Sequence, residues 1–278
     1  MRYSIAVLFA LSALLPPATG QITRADRNKP FPPHKVAGNV YYAGTADWAT
    51  FLITTPEGHI LINTSYEDTV PIIRASVEKL GFKFTDIKII LGSHAHGDHM
   101  QGDALAKELS GARVMAMEQD VPALKRMMPG GKEHPVDRVL RDGEEVKLGG
   151  TTLKAHLTAG HTKGCTTWST KTSEGGKSFD VVMVCSVGWN PGYTLYNNKD
   201  YPQIAEDYTR SFATLRKLPC DIFLGAHAGF YNLAAKYPLL GKKETNPFVD
   251  PKGYGDYIDL KEQQFKQEYE RQKNAAKP

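Results

Sequence analysis

The most constraining feature of this sequence is a run of three histidines and one aspartate within six residues. The run reads Ser93-His94-Ala95-His96-Gly97-Asp98-His99, and it follows the apolar segment 87–91, which predicts a buried strand. Alternate side chains of an extended chain point to the same side, so His94 and His96 share one side. Neutral imidazoles together with a carboxylate suit Zn²⁺. We therefore predict that this loop binds metal rather than being a solvated polar loop.

Two further histidines stand in glycine-flanked turns after apolar segments, at His161 and His227. Loops at strand ends are where a rigid scaffold presents functional side chains. The chain then has six candidate metal ligands, namely His94, His96, Asp98, His99, His161 and His227. A catalytic Zn²⁺ takes three protein ligands and a water, so six ligands divide into two sets of three. This predicts two Zn²⁺ ions, about 3.5–4 Å apart. The other histidines lack this context and are predicted to be structural or at the surface: His34, His59, His134 and His156.

Short β-rich segments alternate with helical periodicity along the rest of the chain. Strand character appears at 39–43, 50–55, 59–62, 87–91, 114–117, 145–148, 151–157, 166–169, 180–184 and 221–224. Helical spacing appears at 69–80, 103–109, 121–128, 201–218 and 260–276. Each half contains several strands and a helix-containing segment, and no repeat or linker separates the halves. The pattern favours an α/β fold in which two β-layers pack together with helices outside.

Three motifs in these loops resemble those of the metallo-β-lactamase family. They are His-x-His-x-Asp-His at 94–99, Gly-His-Thr-x-Gly at 160–164 and Gly-x-His at 225–227, and the match spans roughly residues 36 to 230. The resemblance implies the αβ/βα four-layer sandwich of that family. It also implies how the ligands divide. A first zinc would be held by His94, His96 and His161, and a second by Asp98, His99 and His227.

The segment after the strand at 180–184 is similar to that of subclass B3 of the class B β-lactamases. Hydrolases of this fold such as glyoxalase II carry an aspartate there that bridges both metals, but Val182-Met-Val-Cys-Ser-Val-Gly188 has no aspartate. Subclass one carries a ligating cysteine at that place. Our alignment puts Ser186 there, which is the B3 pattern, whereas an alignment shifted by one residue would make Cys185 a ligand.

The activity that the resemblance implies is zinc-dependent hydrolysis of the β-lactam amide bond by a hydroxide that bridges the metals. Asp98 would be the catalytic residue that orients this hydroxide, and Ser186 would bind the substrate carboxylate. Relatives carry a second serine where this chain has Gly188, which predicts weaker carboxylate capture. Asn63 replaces an aspartate that supports a ligand histidine in relatives, which predicts weaker polarisation of that ring.

Two other functions remain as alternatives. One is another hydrolase of the same fold with a lactone, ester or thioester substrate, which the missing bridging aspartate disfavours. The other is a non-catalytic zinc protein. Structural zinc sites are usually closed and rich in cysteine, unlike this set.

The chain begins with the pattern of a secretory signal peptide. Arg2 is followed by the apolar run 4–15 and by Ala18 and Gly20, which form a small-x-small cleavage site. The run is short for a membrane span of about 20 residues. We predict a signal peptide over residues 1–20, a single domain over 21–278, and a periplasmic protein with no stable membrane association after cleavage.

Charge bears on the partners of the protein. The chain has 34 Lys and Arg against 30 Asp and Glu, a balance that disfavours a nucleic-acid partner. We expect a monomer whose partner is a small-molecule β-lactam substrate.

Three cysteines, Cys165, Cys185 and Cys220, are expected to meet an oxidising compartment. Cys165 and Cys185 flank the predicted metal site, so their placement allows a disulfide that fixes the His161 loop, with three free thiols as the alternative. Relatives pair the cysteine at the place of Cys220 with a downstream cysteine. This chain has none there, so Cys220 is predicted to be a buried free thiol.

Overall fold

A computed structural model describes residues 23–242 and 245–277 of the chain. The predicted signal peptide, residues 1–20, lies outside the described residues. In the part of the chain that is described, no helix is both long and apolar enough to cross a membrane.

The first half of the described chain forms a seven-stranded sheet whose strands follow one another in chain order. The strands are β1 His34–Ala37, β2 Val40–Tyr42, β3 Phe51–Thr55, β4 Gly58–Ile62, β5 Ile87–Leu91, β6 Arg113–Met117 and β7 Arg138–Leu140. Strands β1 to β4 pair antiparallel, and β4 to β7 pair parallel. Parallel neighbours place the loops after β4, β5 and β6 at one edge, where the histidine-rich loop lies.

The second half forms a five-stranded sheet in the order β12-β11-β10-β9-β8. The strands are β8 Glu145–Leu148, β9 Thr151–Leu157, β10 Thr166–Glu174, β11 Lys177–Val184 and β12 Ile222–Gly225. Only the β11–β12 pair is parallel. The α-helices are α1 Arg24–Arg27, α2 Val70–Lys79, α3 Gly97–Met100, α4 Asp103–Ser110, α5 Val121–Met127, α6 Ile204–Leu215, α7 Leu233–Lys236 and α8 Pro251–Ala275.

Alternate residues of the first sheet pack against different layers, as the period of two in a strand requires. Leu52 and Ile90 share a core with Ile73 of helix α2. Phe51 and Ile53, on either side of Leu52, belong instead to the main core, which contains Trp168 of the second sheet. Helices α6 and α8 join the same core from the second sheet's side through three aromatic side chains, Tyr208, Phe212 and Phe265. The predicted four-layer α/β sandwich is confirmed.

The structure extends the predicted elements where polar residues hide the pattern. Strands β1 and β7 are not predicted from the sequence. The β10–β11 hairpin is longer than the segments that the sequence predicts. The sequence pattern does not reveal its outer residues, because they are polar and exposed. Helix α8 begins at Pro251, not at residue 260. Gly253 and Gly255 lower its intrinsic helix propensity, but Asp250 caps it by accepting a hydrogen bond from Gly253 N.

Candidate metal centre

The loops after β5 and β9 bring three of the predicted ligands together. The ring centroids lie 4.8 Å apart for His94 and His96, 4.7 Å for His94 and His161, and 4.8 Å for His96 and His161. The ring planes are nearly perpendicular, at 79°, 86° and 83°. One nitrogen from each ring lies within 4.8 Å of the others. Three rings arranged in this way can offer three nitrogens to one ion.

The other three predicted ligands form a second set beside the first. Asp98 Oδ2 lies 3.4 Å from His99 Nε2 and 3.6 Å from His227 Nε2. The His99 and His227 rings are 4.9 Å apart and perpendicular, at 89°. The rings of His94 and His99 are 4.1 Å apart, so the two sets are adjacent. All six side chains therefore converge, as two sets of three.

The chemistry of these side chains fits a metal cation. Among the described residues, His94 Nε2 and both ring nitrogens of His99 are buried without a hydrogen-bond partner. A buried polar atom left unpaired lowers the stability of the folded protein by roughly 1–3 kcal/mol, so a cation bound to these nitrogens would be stabilising. Burial lowers the pKa of His94 and His99 well below the usual histidine range, and it lowers the pKa of His161 to about 4. The rings are therefore neutral near pH 7, which is the metal-binding form.

The outer nitrogens of two candidate ligands are held by neighbouring groups. His161 Nδ1 lies 2.9 Å from the Gly188 carbonyl oxygen, which only accepts, so this nitrogen carries the proton. His227 Nδ1 lies 3.2 Å from Asp47 Oδ2. Such contacts fix the ring orientation and leave the other nitrogen to face the centre.

Asp47 is not predicted from the sequence. It is 180 residues from His227 and reaches it because backbone hydrogen bonds join Ala49 N to Ala226 O and Ala228 N to Asp47 O. Asp47 also forms an ion pair with Arg27. Burial alone would raise the pKa of Asp47, but the contacts with His227 and Arg27 outweigh it and hold this pKa below its usual value. Asp47 is therefore a carboxylate that supports His227 from behind.

Asp120 is a second residue that the sequence around it does not mark as functional. This buried carboxylate follows β6, and its two oxygens accept hydrogen bonds from both loops that carry the first set. Asn63, in contrast, does not act on a histidine ring as the resemblance implied. Its side chain accepts a hydrogen bond from Ser93 N and donates one to Ala49 O. It therefore anchors the backbone at the start of the histidine-rich loop.

A cleft of about 590 Å³ is lined by four of the six candidate ligands, namely His96, Asp98, His161 and His227. Ser186 lines it, as does Trp189, whereas Trp48 is buried against Tyr66. Lys261 reaches the cleft from helix α8. Within the described residues no carboxylate lies within 4.0 Å of its ammonium group, which contacts Gln264 Oε1 at 3.3 Å. Of the two cations that line the cleft, Arg27 is paired with Asp47, whereas Lys261 has no anionic partner among the described residues.

The predicted disulfide between Cys165 and Cys185 is present, with 5.9 Å between the Cα atoms. Since the Cys185 sulfur is bonded to Cys165, the shifted alignment that makes Cys185 a ligand is excluded. Cys220 is a free cysteine, as predicted, but it is only partly buried, and this partial burial raises its pKa to about 12.

The remaining four histidines lie outside both sets. His134, for example, is buried against Asp103 and the Met100 carbonyl, and His156 contacts Ser169.

Solved structures of subclass B3 enzymes are similar to this chain over almost their whole length. FEZ-1 metallo-β-lactamase from Legionella gormanii is 50% identical with a TM-score of 0.84, covering 88% of this chain and 98% of that one. BJP-1, a subclass B3 metallo-β-lactamase of Bradyrhizobium japonicum, is 33% identical with a TM-score of 0.82, covering 90% and 98%. The class B3 di-zinc metallo-β-lactamase LRA-12 from an Alaskan soil metagenome is 30% identical with a TM-score of 0.78, covering 89% and 97%.

Curated relatives match a shorter part. A hydroxyacylglutathione hydrolase of Rhodopseudomonas palustris (strain BisB5) is 30% identical over 112 residues, which are 40% of this chain and 39% of that protein. The chain thus spans about two fifths of the length of this relative. The family model described as Metallo-beta-lactamase superfamily matches residues 49–227, which include both ligand sets. The chain therefore belongs to the metallo-β-lactamase superfamily of hydrolases.

Proposed function

We propose that the protein is a subclass B3 β-lactamase that hydrolyses the amide bond of β-lactam antibiotics. The observation that carries this proposal is the end of β11, where Val184 is followed by Cys185, held in a disulfide, and by Ser186 in the cleft. In the described part of the chain, Asp98 is the one acidic side chain of the two ligand sets. A site without a second, bridging carboxylate carries less negative charge, and so it better stabilises an anionic leaving nitrogen.

The metals of this proposal are two zinc ions. The first would be held by His94, His96 and His161, and the second by Asp98, His99 and His227. Zinc bound there would supply Lewis-acid chemistry, making hydroxide available near neutral pH and polarising a substrate carbonyl. The likeness to the di-zinc enzyme LRA-12 supports this stoichiometry.

Asp98 is the proposed catalytic residue. Its side chain is 24% exposed, whereas the side chain of its neighbour His99 is 1% exposed, so the carboxylate faces the cleft. A carboxylate there can accept a hydrogen bond from the attacking water and turn the water's lone pair toward the substrate carbonyl. Its Oδ2 atom lies 3.4 Å from His99 Nε2 and 3.6 Å from His227 Nε2, within the second ligand set.

Ser186 and Lys261 are the proposed binding groups for the substrate carboxylate. Ser186 supplies a hydroxyl at the end of β11, and Lys261 supplies an ammonium group from helix α8. A cation in a cleft attracts an anionic substrate, and more strongly where low-dielectric walls surround it. Trp189 and Phe230 line the same cleft and offer it apolar surface. A small molecule with one carboxylate beside an amide carbonyl suits this combination.

The test is turnover of a chromogenic cephalosporin by the purified protein, with and without a chelator. We expect turnover that a chelator abolishes and added zinc restores, and a loss of at least about 100-fold in kcat for Asp98→Asn. Turnover that resists the chelator, or no turnover with zinc fully loaded, would overturn the proposal.

A second candidate is hydrolysis of a thioester, which the curated hydroxyacylglutathione hydrolases favour. The same zinc-loaded protein is therefore also given a hydroxyacylglutathione thioester. A higher kcat/KM for the thioester than for any β-lactam would favour this second candidate.

We also propose that the protein acts as a monomer in the periplasm after removal of residues 1–20. Cell fractionation and the mass of the purified mature chain test this. A cytoplasmic protein that retains Met1, or a stable dimer in solution, would contradict it.

A further inference from the structure

Asp120 joins the two loops that carry the first ligand set. Its side chain is nearly inaccessible, with the residue 3% exposed, and it accepts three hydrogen bonds. Oδ2 accepts from Ala95 N at 2.8 Å and from Thr162 Oγ1 at 2.9 Å, and Oδ1 accepts from Gly164 N at 2.7 Å. Ala95 lies between His94 and His96, and Thr162 directly follows His161. One buried carboxylate therefore connects both sides of this set.

The close approach depends on Gly164. A Cβ atom at this position would lie 2.6–2.7 Å from the backbone nitrogen, Cβ and Cγ of Asp120, so a side chain there would force Asp120 or the loop to shift. The carboxylate belongs to neither ligand set, so its three contacts serve the loops and not an ion directly. Hydrogen bonds to an ionised acceptor are about twice as strong as neutral ones, and here they are shielded from water.

The second ligand set is held by other contacts. His99 O accepts hydrogen bonds from Thr64 N at 2.9 Å and Ser65 N at 3.1 Å, and His227 is supported by Asp47. The short helix α3 that carries Asp98 and His99 is closed by its own backbone bonds to His96 O. Asp120 therefore acts on one set more than on the other.

We propose that Asp120 is a positioning residue that sets the distance between His161 and the pair His94 and His96, and so determines the affinity of the first metal. This inference rests on the proposed metal ligands and not on the substrate. With Asn at position 120, one of the two carboxylate oxygens is replaced by an NH2 group, which only donates hydrogen bonds. Whichever way this amide turns, a backbone N–H of Ala95 or Gly164 loses its acceptor.

The experiment measures the two metal sites separately. The protein is loaded with cadmium, and cadmium NMR reports one signal for a site of three nitrogens and another for a site of two nitrogens and one oxygen. Competition with a chelator gives a dissociation constant for each. For Asp120→Asn we expect the first site to weaken about 10–100-fold while the second changes by less than about threefold. Thr162→Val, which removes one of the three bonds, should weaken the first site less.

Asp103→Asn is the matched control. Asp103 is also buried, at 0% exposure, and it accepts a hydrogen bond from Thr64 and pairs with His134 without touching either loop of the first set. It should lower thermal stability and leave the first site unchanged. Equal weakening of both sites in Asp120→Asn, or wild-type affinity in both Asp120→Asn and Thr162→Val, would overturn the inference. A wild-type protein that binds fewer than two cadmium ions would overturn this inference and the proposed metal set together, whereas failure on β-lactams alone would leave the inference standing.

Discussion

Asp47 Oδ2 lies 3.2 Å from Nδ1 of His227, while the Nε2 atom of the same ring faces Asp98 at 3.6 Å. The imidazole thus lies between two carboxylates, but only Asp47 is within hydrogen-bond distance, and Nε2 faces the second ligand set. Arg27 pairs with the outer carboxylate and favours its ionised form. A carboxylate behind a ligand histidine fixes the tautomer and raises the basicity of the nitrogen that meets the metal.

The change Asp47→Asn should therefore weaken the second metal site. An amide can still accept from His227 Nδ1, but it carries no charge to make the ring more basic. We expect about 10–100-fold weaker binding at this site and little change at the first. Chelator competition monitored by cadmium NMR measures both affinities. Asp256→Asn on helix α8, an exposed position paired with Lys252, is the control. Unchanged second-site affinity would remove Asp47 from this role.

Lys261→Ala tests capture of the substrate carboxylate. Loss of a charge that binds substrate and transition state alike should raise KM, by roughly tenfold, with kcat nearly unchanged. Steady-state kinetics with an acidic cephalosporin and with its carboxylate ester measure the effect, and the ester should be insensitive. Lys266→Ala, on the same helix and paired with Glu262, is the matched control. An equal KM for Lys261→Ala and the parent would refute the assignment.

A serine at position 188 should strengthen carboxylate binding. A Cβ at Gly188 would meet nothing within 4 Å, and the backbone there is not in the left-handed region, so a side chain fits. Gly188→Ser adds a hydroxyl close to Ser186 in the cleft. We expect KM for acidic β-lactams to fall several-fold, since a hydrogen bond to a charged group contributes roughly 1.5–3 kcal/mol before its costs. Gly188→Ala separates the hydroxyl from the added bulk, and an identical KM for both variants would count against the prediction.

The metal-free protein should lose stability as the pH falls. Burial lowers the pKa of His161 from 6.5 to about 4, so between these values the unfolded chain binds more protons than the folded one. The free energy of unfolding then decreases with falling pH, by about 1 kcal/mol from His161 alone between pH 7.5 and 5.5. Urea denaturation of chelator-treated protein at the two pH values measures this. His161→Asn should show a smaller drop, and an equal drop in both proteins would contradict the explanation.

The sequence predicts those parts of this structure that depend on local patterns. The apolar run 87–91 predicts a strand, and three histidines beside glycines predict where metal ligands gather. Asp47, Asp120 and Lys261 could not be predicted, because a single acidic or basic residue in a polar segment has no pattern of its own. Their roles arise from contacts across the fold, such as the 180 residues between Asp47 and His227. The sequence does not predict the start of α8, because its glycines lower the helix propensity there and the Asp250 cap that offsets them is visible only in the structure.

Each ligand set takes members from both sheets, since His94 and His96 follow β5 whereas His161 follows β9, and His99 follows β5 whereas His227 follows β12. An ion bound to either set therefore cross-links the two halves of the sandwich. By mass action, ligands that bind only the folded chain lower the unfolded fraction. Cells short of the metal should consequently degrade the protein faster, so that metal supply governs how many copies persist as well as how many are active.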